Sequence, residues 1–285
     1  MVEFIIGQAG SGKTTMMFEK IKKNAGNVCI IVPEQYSYEF DKTLYFYLGA
    51  DVFNELFSST FTGLSRQLFQ FYGEPGRSGE YADELAQMIM IYQAVNSVRN
   101  MPGVMTYFRT RSTQNGFAEE VLNLINDMKR SGIEPEQLAI KIPAADKRLS
   151  DKIFDISMIY LEYERLMKEY GFKNSLDNIK LGAAIAAANG WFKGKSVYID
   201  EFESFTGDQL AMLKVILEHS DNVTIVLRTD DINAGEFTLF ETVNRTFRCI
   251  AGICADLGKE YRVTVCSESR RFKNPELEYL SSRIL

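Results

Sequence analysis

Histidine is nearly missing from this chain of 285 residues, His219 being the only one. A single imidazole with no cysteine cluster beside it removes the ligand set of an ordinary zinc site. Nothing around His219 suggests a Ser–His–Asp arrangement. Cysteine is sparse as well. Cys29, Cys249, Cys254 and Cys266 form no C-x-x-C pair, and the pair five residues apart on a predicted helix shares a face poorly. Buried free thiols are therefore expected rather than a disulfide or a metal site. No apolar run reaches membrane-spanning length, and "MVEFIIGQ" turns polar too early for a signal peptide. A cytoplasmic protein with no membrane partner is expected. Cationic excess is also lacking, since 32 Lys and Arg face 38 Asp and Glu for a net charge of −6. Such a field does not draw nucleic acid to the whole molecule. It argues against a free-standing, non-specific DNA binder but leaves room for a local basic groove or for one module of a larger assembly.

What is present is an ordinary globular composition, 46% hydrophobic and 25% charged, with length for one or two domains. Directly after the apolar run comes "GQAGSGKTT". Gly7, Gln8, Ala9, Gly10, Ser11, Gly12, Lys13 and Thr14 fit the phosphate-loop pattern G-x-x-x-x-G-K-[ST], with Thr15 following. Glycines let backbone N–H groups turn toward phosphate oxygens without an obstructing side chain. The helix predicted from Lys13 adds its positive end at the same point. In this pattern Lys13 reaches the β- and γ-phosphates of ATP and the Thr14 hydroxyl ligates Mg²⁺.

Strand and helix alternate over residues 1 to about 75: "VEFIIG", a helix to about Asn24, a strand at 27–34 stopped by Pro33, a helix ended by Gly49, a third strand within "VFNELFSSTFT", and a helix in "GLSRQLFQFYG". The turn-rich "EPGRSG" at 74–79 marks a boundary, and residues 80–190 read mostly as helices whose Met and aromatic stripes belong to a core. Pro135 and Pro143 punctuate that stretch. Alternation returns with strands in "KSVYIDEFESF", "NVTIVLRT" and "YRVTVCS", helices between them, and a short helix near "NPELEYLSSRIL". The expected architecture is a discontinuous α/β domain (1–79 plus 191–285) with a parallel sheet, and an all-helical insert (80–190) between the third and fourth strands.

"SVYIDEFESF" supplies what the phosphate loop lacks. An apolar strand ending in Asp200 would aim a carboxylate at Mg²⁺, directly or through water. Glu201 stands where many P-loop ATPases carry the residue that orients or deprotonates the attacking water. Acidic residues often close strands, so the pair gains meaning only beside the phosphate loop.

Together "GQAGSGKTT" and "YIDEFESFTGDQLAML" resemble motifs I and II of superfamily 1 DNA helicases, with the helical insertion matching the inserted subdomain (1B) of that superfamily's RecA-like first domain (1A). A closer resemblance is to the N-terminal region of the B subunit of the bacterial ATP-dependent helicase/deoxyribonuclease of AddAB type. "VPEQYSYEF", "STFTGLSRQLF", "QNGFAEEVLNLINDMKRSGI", "VTIVLR" and "NPELEYL" occur in the family's order across nearly the whole chain. The resemblance implies binding of ATP, Mg²⁺ and DNA, a heterodimer with a separate motor-and-nuclease subunit, and a role in double-strand break repair by recombination. The family's exonuclease and its iron–sulfur cluster lie toward the C-terminus, and none of the four cysteines matches the cluster's set, so no cluster is expected here. The chain reads as an N-terminal part of a longer protein, and the isolated part is expected to have little activity. Two departures stand out. Only six residues precede Gly7, so the adenine-reading glutamine motif of superfamily 1 is missing and base recognition should differ or be weak. Glu201 is kept where members of the resembling family often lose it, which leaves hydrolysis open.

Two other readings stay in play: a P-loop kinase for a small molecule, for whose arginine-rich lid "RTRSTQNG" (109–116) could be mistaken, and an architectural module that does not turn nucleotide over. An insert of more than 100 residues is long for a kinase lid.

Overall fold

The computed structural model describes the chain except residues 25, 74–79, 141–146, 234–238, 268–275, 277–278 and 280–285. Six strands, β1 (Val2–Gly7), β2 (Val28–Ile31), β3 (Phe57–Ser59), β4 (Ser196–Ile199), β5 (Asn222–Arg228) and β6 (Tyr261–Val265), form one sheet. Every pairing is parallel and the order is β3-β2-β4-β5-β1-β6. The near-continuous apolar runs of β1, β2 and β5 suit strands covered on both faces, and all of β1 and β2 is buried. Val2 lies opposite both Val223 and Tyr261, and Ile199 lies opposite Ile31 and Ile225. This all-parallel α/β arrangement is consistent with a RecA-like fold. Because all strands run the same way, the segments that follow β1, β4, β5 and β6 meet at one edge of the sheet.

Helices α1 (Lys13–Lys23) and α2 (Ser37–Leu48) cover one face of that sheet. Met17 and Ile21, and Phe40, Leu44 and Leu48, recur at four-residue spacing and pack with Ile5, Ile30 and Val226. On the other face Phe4 meets Phe247 of α11 (Glu241–Asp256) edge to face at 4.8 Å. The alternation of Phe4 and Ile5 assigns them to opposite layers. Glu3 is a buried acid in β1, bonded by Lys20 of α1 at 2.7 Å and by Arg262 and Thr264 of β6 at 2.9 Å. Burial alone would raise its pKa, but those donors outweigh it and hold the carboxyl below its usual value.

The third strand falls within the stretch that the sequence assigns to it and occupies only three residues of it. Residues Ala50–Asn54 form helix α3 behind Gly49, and only Phe57–Ser59 pair with β2. A short apolar run with aromatic residues does not by itself separate helix from edge strand. Helix α4 (Phe61–Tyr72) follows. The strands and helices otherwise fall where the sequence pattern puts them, while the boundary at 74–79, Pro143 and most of the terminal "NPELEYLSSRIL" lie outside the described residues.

Between β3 and β4 the chain contains helices α5 (Glu84–Asn100), α6 (Phe117–Arg130), α7 (Pro135–Ile140), α8 (Lys147–Glu169) and α9 (Asn178–Ala188), with no strand among the described residues. By its contacts the chain divides into two units: Met1–Phe71, Gly182–Phe205 and Gln209–Leu285 carry the sheet, while Tyr72–Leu181 and Thr206–Asp208 form the helical unit. In the helical unit Met90, Ile91 and Val98 of α5, Phe117 and Ile125 of α6, and Ile159, Tyr160 and Tyr163 of α8 build a common core. The buried Asp155 accepts backbone N–H bonds from Thr106, Tyr107 and Phe108 at 2.8–3.1 Å, which pins the loop after α5. Arg111 of "RTRSTQNG" stands in a short 3₁₀ turn of this unit and pairs with Glu120 at 3.4 Å.

Cys29, Cys254 and Cys266 are buried, and none of the four cysteines is in a disulfide. Cys249 departs from expectation in being exposed. It lies on the amphipathic α11 one position before the buried Ile250, which turns its thiol off the core face. His219 closes helix α10 (Gly207–His219) beside Glu218.

Candidate functional site

The loop from Gly7 to Lys13 joins the end of β1 to the start of α1, at the edge where the strand ends converge. Gly10 and Gly12 take φ of 80° and 86°, left-handed values that a side chain disfavours. Gly12 caps α1 without a side-chain hydrogen bond, so the first-turn amides are offered to whatever lies before the helix. At Gly7 the requirement is close approach instead. A Cβ there would stand 2.5 Å from Ser11 Oγ and 2.6 Å from the carbonyl oxygen of Cys266.

Lys13 is buried and its Nζ donates to the carbonyl of Gln8 at 2.6 Å, so its ammonium spans the loop. Burial lowers its pKa, against the opposing attraction of Asp200. Thr14 Oγ1 donates to Asp200 Oδ2 at 2.9 Å across 186 residues of sequence. Only β5 separates β1 from β4, and the parallel register sets Gly7 level with Arg228 at the strand ends. The same edge brings Asp200, the residue after β4, to the first turn of α1. Thr15 is half-buried in that turn.

Asp200 is 4% exposed, and burial followed by repulsion from Glu201 pushes its pKa up to about 7. The N–H of Glu201 bonds Asp200 Oδ1 at 2.7 Å. Glu201 itself adopts φ 65°, an uncommon conformation for a residue with a side chain, and points into solvent at the cavity rim. A cavity of about 560 Å³ opens above these groups, lined by Gly10, Lys13, Thr14, Asp200, Glu201 and Arg228 among others. Arg228, at the end of β5, pairs with Glu203 at 2.8 Å on the same rim. Its position was readable only as the last residue of a buried strand, and its place beside the acidic pair follows from strand order.

The site thus brings Ala9, Gly10, Lys13, Thr14, Asp200 and Glu201 around one cavity, while Gly7, Gln8, Ala9 and Ser11 line a second one on the other side of the loop. Among the described residues no three His, Cys, Asp or Glu side chains gather as a metal cluster. A hydroxyl and a deeply buried carboxylate that share a proton bond are nevertheless oxygen donors of the kind Mg²⁺ takes, since that ion usually keeps waters and substrate phosphates as its other ligands. The unfavourable burial of the Asp200 charge is the feature a cation would relieve.

The fold and this edge define an all-parallel α/β protein with a glycine-rich loop facing an Asp–Glu pair. The family model described as ADDB, N-terminal, matches residues 4–281, and the chain belongs to that family. Proteins named as the B subunit of ATP-dependent helicase/deoxyribonuclease are similar over nearly its whole length. That of Clostridioides difficile (strain 630) is 29% identical over 90% of this chain and 23% of its own length. For that of Clostridium tetani (strain Massachusetts / E88) the figures are 26%, 99% and 26%, and for that of Staphylococcus aureus (strain JH9) 27%, 96% and 24%. The chain therefore spans about a quarter of the length of these curated relatives. Among the described residues no helix is long and apolar enough to cross a membrane.

Proposed function

We propose that this chain is the ATP-binding, helicase-like N-terminal module of the B subunit of a helicase/deoxyribonuclease. Paired in a heterodimer with a motor-and-nuclease subunit, it would act on DNA during recombinational repair of double-strand breaks, in the cytoplasm. The observation that carries the nucleotide reading is the 2.9 Å bond from Thr14 to the buried Asp200 beneath the cavity that Lys13 and Gly10 line. The membership of the chain in the ADDB N-terminal family and the names of its relatives support the wider role.

In this reading the sheet-bearing unit is a P-loop domain and the helical unit an insert in it. The amides of Gly10 to Thr14 receive the phosphate oxygens, and Lys13 exchanges the Gln8 carbonyl for the β- and γ-phosphates. Thr14 and Asp200 would hold Mg²⁺, whose charge offsets that of the phosphates when it is bound. Glu201, held at the rim by the turn after β4, would orient or deprotonate water. Arg228 is the arginine lining the cavity among the described residues, and Glu203 occupies it. Slow hydrolysis by the isolated chain is expected, because an arginine placed on the transition state accounts for about 10³–10⁵ in rate in related NTPases.

The test is Mg²⁺–ATP titration by calorimetry and thermal melting. At nucleotide a hundred times its dissociation constant the protein should gain about 2.7 kcal/mol of stability. Lys13→Ala should lose this gain and Glu201→Gln should keep it. No heat and no melting shift at millimolar nucleotide would overturn the reading.

A further inference from the structure

The helical unit holds a hollow of about 230 Å³ with apolar walls and a cationic rim. Phe117, Val121 and Leu124 reach it from α6 at spacings of four and three residues, Ile156 from α8, and Phe108 from the loop after α5. Lys152, one turn before Ile156, and Arg111 stand at the rim, and Arg148 lies a further turn back on α8. We infer that this hollow docks a short acidic segment of another protein, which seats one apolar side chain inside and sets its carboxylates against the α8 rim. The inference is independent of the phosphate site.

The hollow is formed in advance of any ligand. Asp155 pins the loop through the backbone N–H groups of Thr106, Tyr107 and Phe108. Above it Tyr107 meets Phe108 edge to face at 4.8 Å, and Phe108 meets Phe117 with ring centroids 5.5 Å apart. Phe117 and Ile156 are buried, whereas Leu124 is 41% exposed and offers solvent an apolar side chain at the mouth. A preformed apolar pocket spares its ligand much of the ordering cost of binding. Small-molecule sites run from about 300 to 1,000 Å³, so a hollow of this size suits a single anchoring side chain.

Charge at the mouth selects what flanks the anchor. Arg148 Nε and Nη2 donate to the Tyr107 hydroxyl at 3.2 and 3.1 Å, and Lys152 Nζ lies 5.0 Å from the centre of the same ring. Two cations thus converge on one point of the rim, in a chain whose net charge is −6. They hold the Tyr107 phenol below its usual pKa, the bond from Arg148 foremost. On the α6 side Glu120 lines the hollow and pairs with Arg111 at a long 3.4 Å, both side chains being exposed. Such a pair contributes little and is readily exchanged for a carboxylate of a ligand. Complementary charge therefore favours an acidic peptide on the α8 side. A nucleic-acid strand fits less well, because it needs a cationic track and open ring faces for its bases. Here Lys152 covers the Tyr107 ring, and Glu120 stands at the mouth.

The experiment measures fluorescence anisotropy of a labelled peptide of Asp and Glu around one central Phe, titrated with the whole chain. The same peptide with Ala for Phe, and a labelled single-stranded oligothymidylate, are titrated alongside. The acidic Phe peptide should bind with a micromolar dissociation constant, and its Ala counterpart at least tenfold more weakly. Lys152→Glu, which reverses the rim charge, and Leu124→Glu, which closes the mouth to an apolar anchor, should each weaken the Phe peptide at least tenfold, with thermal melts confirming that both variants fold. Lys193→Glu, at an exposed position of the sheet-bearing unit, should change nothing. The inference is overturned if the Phe peptide does not bind at millimolar protein, if the Ala peptide binds equally well, or if Lys193→Glu weakens binding as much as Lys152→Glu. It is overturned equally if oligothymidylate binds more tightly than the peptide and is released by Lys152→Glu.

Discussion

Replacing Asp200 by Asn should make the nucleotide-free protein more stable at pH 8 while abolishing the Mg²⁺ binding proposed above. The carboxylate is 4% exposed, and its pKa rises from 3.8 to about 7, first through burial and then through Glu201. At about 1.4 kcal/mol for each tenfold in proton affinity, this corresponds to about 4 kcal/mol of destabilisation once the group is ionised. The sign follows from the folded state holding the proton more tightly than the unfolded chain. The destabilisation due to Asp200 should be absent below pH 4, grow between about pH 4 and 7, and level off above. Asparagine keeps an acceptor for the Glu201 N–H and a donor for the Thr14 hydroxyl. It loses the charge assistance of those bonds, about 1 kcal/mol. The net gain is then about 3 kcal/mol at pH 8 and close to zero at pH 4. Urea unfolding at both pH values, without nucleotide or metal, reads this directly. The same variant titrated with Mg²⁺–ATP should show no Mg²⁺-dependent increase in stability. A variant that is less stable than wild type at pH 8, or whose stability gain over wild type does not grow between pH 4 and 7, would refute the assignment of Asp200 as a poorly accommodated charge awaiting a cation.

Glu201→Gln, tested in a complex with the motor-and-nuclease partner proposed above and with that partner's own motor disabled, should bind ATP normally and lose the turnover due to this site; turnover equal to wild type would mark a site that binds without hydrolysing. Lys13→Ala in the same assay should weaken both binding and turnover. Gly207→Ala should lower the urea midpoint by an amount equivalent to about 1–3 kcal/mol, since a Cβ there falls 2.3 Å from the carbonyl oxygen of Ser131 and 2.6 Å from Gly132 Cα; an unchanged midpoint would mean that the contact relaxes freely. Lys129→Met removes a buried ammonium that bridges Glu164 at 2.8 Å and Asp177 at 2.9 Å. Both partners are partly exposed, so about 1–3 kcal/mol is expected rather than the full cost of breaking a buried pair. Burial already raises Glu164's pKa, so the loss in this variant should shrink when pH is lowered toward 5, measured by denaturant titration at each pH.

Much of the candidate site is local in origin, and local features are legible in sequence. Gly10 and Gly12 adopt left-handed φ because no side chain forbids it, and Lys13 opens a helix whose apolar residues recur every three to four positions. The buried runs of β1, β2 and β5 announce a parallel sheet covered on both faces, and the acidic pair after β4 is visible as the end of such a run. Tertiary structure decided the rest. Whether Ala50–Asn54 would be helix or strand depended on packing behind Gly49, since the short apolar run supports either. Cys249 is exposed and Ile250 buried because of how α11 is rotated on the sheet, which composition does not specify. The left-handed φ of Glu201 is imposed by the turn that brings its N–H onto Asp200. Above all, Thr14 meets Asp200, 186 residues away, because β5 and not another strand lies between β1 and β4. Strand order likewise puts Arg228 on the rim of one cavity and Cys266 on the wall of the other. Periodicity in a chain records which face of an element is buried; which elements become neighbours is set by the crossovers that bury those faces together, and it is neighbours that make a site.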